Sequence, residues 1–317
     1  MLALVFDGKA TLRDDWPEPS PKSGEALVAV RMAGICRTDL EVLKGYMHFR
    51  GVMGHEFVGT VLDGPRRWID KRVVAEINCV CGKCDMCSSG LANHCRSRTV
   101  LGIDGRDGVF AERVAVPVRN LHEAPAGVDD VSAVFVEPLA AAFQVVRQVR
   151  LDRGSKVVVI GDGRLGQLVA RVVKLFVARP LLVGRHEAKL EAAEKQGIET
   201  APAEKFVAEA RADVVIDASG TASGLDLAMR TVRPRGTIVL KSTFAAAGEL
   251  NLAPIVINEI NVVGSRCGPF ADAIKALASG QVDISALVSR RFALRDGLAA
   301  LEAAADPENI KILLDVK

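Results

Sequence analysis

Seven cysteines stand in the 317-residue chain, and five of them fall between Cys79 and Cys95. Cys81, Cys84, Cys87 and Cys95 follow a Cys-x2-Cys-x2-Cys-x7-Cys spacing, and Gly82 and Gly90 let the chain double back so that four sulfurs can converge. Four thiolates without an open position suit a tetrahedral, structural zinc ion. The spacings are too short for a secreted disulfide framework in a chain of this length, and clustered thiols in a reducing compartment more often hold metal. They also differ from a nucleic-acid zinc ribbon, whose two Cys pairs lie about 15 to 20 residues apart. Cys79 and Cys267 fall outside the pattern and read as ordinary buried thiols.

A second set of metal-capable residues is dispersed: Cys36 with Thr38 and Asp39, the pair His55-Glu56, and Glu137 before Pro138. A thiolate, an imidazole and carboxylates suit a catalytic zinc, which needs three protein ligands and one exchangeable position. A third pattern binds phosphate. Val157 to Ile160 runs into Gly161-Asp162-Gly163-Arg164-Leu165-Gly166 and then a helical repeat, the setting a dinucleotide fingerprint requires. Gly161 permits the tight turn, Gly163 the approach of backbone N–H groups to a pyrophosphate, and Gly166 close helix packing. Arg164 and Leu165 are counted with these glycines as cofactor-contacting. The next apolar run, Leu181 to Val183, ends in Gly184-Arg185-His186, where an NAD site usually places an acid on the ribose 2′-OH. Without that acid, and with Arg185 able to pair with a 2′-phosphate, NADP is the expected cofactor and NAD the alternative.

The elements that must position these groups fall into two styles. The first ~140 residues carry short apolar strands such as Ala26 to Val30 and Phe57 to Val61 between turn signals. From Lys156 onward, strands at 157–160, 181–183, 214–217, 237–240 and 262–264 alternate with helical stretches, one marked by Leu165, Leu168, Val169, Val172 and Val173. Such alternation predicts an α/β fold with a doubly wound parallel sheet. A helix over 298–305 and a strand over 311–316 close the chain.

The four-Cys run, the three dispersed segments and the glycine turn occur in the same order, over nearly the whole chain, in the zinc-containing medium-chain dehydrogenases, which this sequence resembles. It looks most similar to the polyol, glucose and threonine dehydrogenase branch, where a Glu before Pro-Leu replaces a catalytic-site cysteine. The resemblance implies a GroES-like β-rich catalytic domain over 1–140, completed by 269–317, and a Rossmann NAD(P)-binding domain over 141–268, with the cofactor in the cleft between them. It implies two zinc ions per subunit, with Cys36 and His55 as ligands and Glu56 and Glu137 bound to the catalytic metal directly or through its water. Thr38 resembles the hydroxyl that carries the alcohol proton outward, and Asp39 the carboxylate that orients the imidazole. Arg37 is expected on the cofactor pyrophosphate, and Glu41 stands near where many alcohol dehydrogenases complete the proton relay with a His. Lys241 to Thr243 and Gly268 to Phe270 follow late Rossmann strands, where a nicotinamide-facing loop is expected.

The expected activity is hydride transfer between NAD(P) and a small alcohol, polyol or sugar, in a homodimer or homotetramer. Two readings compete: a catalytically silent NADP(H)-binding sensor, which needs no second metal site, and a zinc-free quinone or enone reductase, which normally lacks the four-Cys lobe and Cys36. A formal charge of +2 offers no field for nucleic acid or anionic membrane. The opening residues lack a basic signal-peptide start, and no run of about 18 uncharged apolar residues follows, so a cytoplasmic enzyme is expected.

Overall fold

A computed structural model describes residues 1–242 and 251–316. The chain divides into two compact units: Met1–Glu137 with Val288–Lys317, and Pro138–Leu287. Residues 269–287, which the sequence reading placed with the closing segment of the first domain, cluster with the second unit.

The first unit is the GroES-like β-rich domain. Its spine is the strand Glu25–Ile35, in which Ala26, Val28, Val30 and Met32 are buried at every second position, so one face packs inward while the other is half-covered. Glu56–Asp63 and Lys311–Asp315 flank it, both antiparallel, with Gly34 opposite Glu56 on one side and opposite Leu313 on the other. The C-terminal strand is thus stitched beside the spine of the first unit, as its sequence pattern suggested. A separate three-stranded sheet of Asn78–Cys79, Thr99–Leu101 and Gly105–Arg106 forms the base of the cysteine-rich lobe.

The second unit is built on six parallel strands in the order Glu199–Pro202, Leu181–Gly184, Val157–Ile160, Ala212–Asp217, Val232–Leu240, Asn261–Gly264. Numbered along the chain that order is 3-2-1-4-5-6, the doubly wound arrangement whose ligands bind at the carboxyl ends of the strands. All four residues of Val157–Ile160 are buried because helices cover both faces of a parallel sheet. On the following helix, Arg164–Lys174, Leu168, Val169, Val172 and Val173 are buried as the periodicity predicts, while Leu165 is half-buried. The same helix buries Gln167 and Arg171, whose donors reach the carbonyls of Lys189, Asp283 and Ala192. Among the described residues, no helix is long and apolar enough to cross a membrane.

Candidate active site and metal centres

Cys36 follows the spine strand directly and precedes the short helix Arg37–Val42. Its own N–H donates to Asp39 Oδ2 at 2.7 Å, so Asp39 holds the backbone that carries the thiol. The other oxygen of Asp39 lies 3.3 Å from His55 Nδ1. Both atoms are buried and neither finds another hydrogen-bond partner. With Nδ1 facing the carboxylate, Nε2 is the ring nitrogen left to ligate. The Sγ of Cys36, a ring nitrogen of His55 and a carboxylate oxygen of Glu56 lie within 4.8 Å of one another. The sequence-predicted Glu137 sits half-buried in the first turn of the helix Val136–Gln148 and is not a member of that group.

The electrostatics fit a cation at this point. Burial opposes ionisation of Cys36, but the hydrogen bond and charge of His55 outweigh it and bring the thiol down to about 6. Burial likewise disfavours a charged His55, yet Asp39 and the Cys36 sulfur raise it well above the ordinary imidazole value. A thiolate, a carboxylate-oriented imidazole and a second carboxylate in one buried cluster are the donor set of a catalytic zinc.

Lys311 was not visible as a site residue in the sequence. Its ammonium is buried against Glu56 Oε2, donates to Ile35 O at 3.2 Å and lies 5.7 Å from the centre of the Phe135 ring. Burial pushes this lysine down to about 8. It reaches Glu56 by crossing the spine strand over Gly34, where a Cβ would stand 2.7 Å from Lys311 Cε and 2.8 Å from Glu56 Oε2. Glycine at 34 is therefore what lets a C-terminal lysine meet a carboxylate two strands away.

Thr38 Oγ1 is 3.8 Å from Cys36 Sγ, which places a hydroxyl beside the thiol. Arg37 points to Glu41, with Nε 3.0 Å from Oε1, and Lys44 Nζ joins the same oxygen at 3.1 Å.

The second centre is the lobe. The sulfurs of Cys81, Cys84, Cys87 and Cys95 all lie within 4.8 Å of one another, with Cys84 at 3.6 Å from Cys87 and 3.8 Å from Cys95. Zn–S bonds of about 2.3 Å in a tetrahedron put sulfurs about 3.8 Å apart, so this set fits zinc. Backbone N–H groups of Arg96 and Cys87 lower the Cys84 thiol to about 6, favouring the ligating form. Cys79 is buried as expected and burial raises its thiol to about 11, whereas Cys267 is only half-buried.

In the nucleotide motif, Gly161 adopts φ 108°, and a Cβ at Gly166 would stand 1.8 Å from Gly161 O. Gly163 differs: its φ is −68°, and a Cβ there meets no atom of the described residues within 4 Å. No contact among the described residues therefore requires glycine at 163. Buried Asp162 pairs with half-buried His186 at the end of the neighbouring strand, beside Gly184 and Arg185. Of the loops expected near nicotinamide, Thr243 lies outside the described residues; buried Lys241 donates to Ala141 O and Arg266 O, and Pro269 precedes the helix Phe270–Ala278.

Residues 22–126 match the family model of the alcohol dehydrogenase GroES-like domain, and residues 165–280 that of the zinc-binding dehydrogenases. The chain belongs to the zinc-type medium-chain dehydrogenase family and is an NAD(P)-dependent oxidoreductase acting on CH–OH groups. It is 32% identical to a 2-dehydro-3-deoxy-L-galactonate 5-dehydrogenase of Pseudoalteromonas atlantica, over 93% of each chain. Identity is again 32% to a sorbitol dehydrogenase of Halalkalibacterium halodurans, over 94% of this chain and 93% of that one. Among solved structures, a zinc-binding dehydrogenase of Sinorhizobium meliloti bound to NADP superposes with a TM-score of 0.90 at 29% identity, covering 99% of this chain and 98% of that one.

Proposed function

We propose that this dehydrogenase oxidises a secondary hydroxyl of a polyol or sugar acid, using NADP in preference to NAD, at the Cys36–His55–Glu56 cluster. The observation that carries the site assignment is the convergence of those three donors with Asp39 behind the imidazole. The sugar-acid and polyol dehydrogenases at 32% identity support the substrate class. Gly184 and Arg185 at the end of the second Rossmann strand support NADP.

Cys36 and His55 would hold the zinc, with Glu56 and Glu137 binding it directly or through its water. When bound, the metal supplies Lewis acidity that favours loss of the substrate's hydroxyl proton. Thr38 would accept that proton and pass it outward, and the nicotinamide, when bound, would supply the acceptor for the hydride of the carbon that bears the hydroxyl. Asp39 keeps the His55 ring in the ligating orientation. Gly161, Gly163, Arg164, Leu165, Gly166, Gly184 and Arg185 bind the dinucleotide, and Cys81, Cys84, Cys87 and Cys95 hold the structural zinc. The working unit is a homodimer or homotetramer of cytoplasmic chains. Seven cysteines outside any disulfide, five of them proposed metal ligands, favour a reducing compartment, and the last strand of the second unit's sheet, with a neighbour on one side only among the described residues, favours pairing with a second copy.

The test is zinc per subunit in wild type and Cys36→Ser, with NADP- and NAD-linked oxidation of a panel of polyols, aldonates and simple alcohols. Wild type is expected to hold two zincs and the variant one, with turnover reduced on the order of a thousandfold. A wild type with one zinc that Cys36→Ser leaves in place overturns the site assignment.

A further inference from the structure

The carboxylate of Asp162, the residue between the first two glycines of the phosphate-binding turn, is 5% exposed. It reaches across to the end of the neighbouring strand. Oδ2 accepts the N–H groups of Arg185 and His186, each at 2.7 Å. The Nδ1 of His186 lies 3.0 Å from both carboxylate oxygens. Burial opposes ionisation of Asp162, but the backbone N–H and imidazole of His186 and the N–H of Arg185 outweigh it and hold the carboxyl below its ordinary value.

This arrangement occupies the place of the usual strand-end acid. A Cβ at Gly184 would stand 2.5 Å from Asp162 Cβ and 2.5 Å from its Oδ2. No acidic side chain fits at 184 while Asp162 is present, and Asp162 is itself engaged with the backbone and imidazole rather than turned toward a ribose hydroxyl. The crevice at the carboxyl end of this strand is where the adenosine ribose of a dinucleotide is read. With Nδ1 taken by Asp162, Nε2 is the His186 ring atom left to meet a ligand, on a side chain 24% exposed.

We propose that Asp162 and His186 form a specificity dyad for the adenosine 2′-phosphate of NADP(H): the carboxylate fixes the imidazole and the 185–186 backbone, and His186 Nε2 joins Arg185 in binding the phosphate. The dyad rests on the NADP reading above and gives it a mechanism. His186 touches the ligand, and Asp162 is the positioning residue behind it. A charge-assisted hydrogen bond to phosphate, held in place before the ligand arrives, costs little ordering on binding.

The test separates the dyad from the NADP preference. Titration calorimetry on the zinc-replete enzyme measures the affinities for adenosine 2′,5′-bisphosphate and 5′-AMP, whose ratio isolates the 2′-phosphate. Wild type is expected to bind the bisphosphate more tightly. His186→Asn should cut the ratio roughly ten- to a hundredfold, the range for losing a hydrogen bond to a charged group, and Asp162→Asn should cut it by a lesser factor. In kinetics both variants should raise the KM for NADP while kcat holds. The double variant Asp162→Gly with Gly184→Asp returns an acid to the strand end and should invert the preference toward NAD. If wild type binds both probes alike, the NADP reading fails and the dyad with it. If wild type discriminates but both single variants keep its ratio, or lose both affinities in equal proportion, the dyad alone is overturned, and the pair merely fixes the turn before the helix that begins at Glu187.

Discussion

Lys311 depends on a single carboxylate, because a buried ammonium is tolerated only with a partner. Glu56 supplies it, and the two side chains are 2% and 1% exposed. Removing one member of a buried ion pair costs roughly 3–5 kcal/mol, since the remaining charge keeps its desolvation penalty and loses the attraction that offset it. Lys311→Met is therefore expected to lower the melting temperature on the order of 10 °C. Measured against Glu56→Gln alone, which carries the cost of a lost metal ligand, Lys311→Met should cost far less, because no orphaned charge is left. Differential scanning calorimetry of the zinc-loaded wild type, single and double variants reads this directly. A single variant that melts with wild type would show that the pair carries no charge in the folded protein. Lys311 also shows what a one-dimensional reading misses. Its sequence neighbours form an ordinary apolar strand, and nothing near it announces a carboxylate 255 residues away.

Whole elements were more legible than pair contacts, for a physical reason. Apolar runs such as Val157–Ile160 must be buried wherever the chain goes, and the five parallel strands expected from such runs all lie within observed strands. The sixth, Glu199–Pro202, is an edge strand with exposed ends and no apolar pattern, so its backbone pairing left no trace in composition. Likewise Asp162 sits at a position of the glycine motif that tolerates any residue, and only the fold brings it to His186. The cysteine lobe is the opposite case, since its ligands lie within 15 consecutive residues and the spacing itself encodes the geometry. That compactness predicts a local dependence on metal. The lobe is half-exposed around its sulfurs and has only a small sheet beneath it, so the zinc replaces a core. Cys95→Ser should remove one zinc per subunit while leaving the catalytic one. It should also speed proteolysis between residues 80 and 98 at least tenfold, with the cleavage sites mapped by mass spectrometry. Unchanged zinc content in that variant would mean that the four sulfurs are not the ligands.

Among the described residues, the last strand of the six-stranded sheet has a neighbour on one side only. Asn261–Gly264 ends the six-stranded sheet, and Val262 is 41% exposed, beside Val256 at 78% and Ile257 at 77% on the preceding helix. An exposed apolar edge strand invites another strand, and the proposed second copy, related by a two-fold axis, would pair with it antiparallel. The orientation of the edge can be deduced. Ser265 N–H donates to Leu240 O, toward the neighbouring strand, so by alternation Val263 faces the same way and Val262 presents its N–H and C=O to the free side. Val262→Pro thus removes the one donor at the centre of the edge without touching a hydrogen bond inside the sheet, a substitution that edge strands accept. Wild type is expected to sediment at twice the 33.8 kDa chain mass or a multiple of it. The variant should sediment as a monomer at micromolar concentration, with its far-UV circular dichroism retained. If Val262→Pro keeps the wild-type mass, the subunits meet through another surface; if wild type is itself monomeric, the exposed edge is tolerated without a partner and the homodimer is withdrawn.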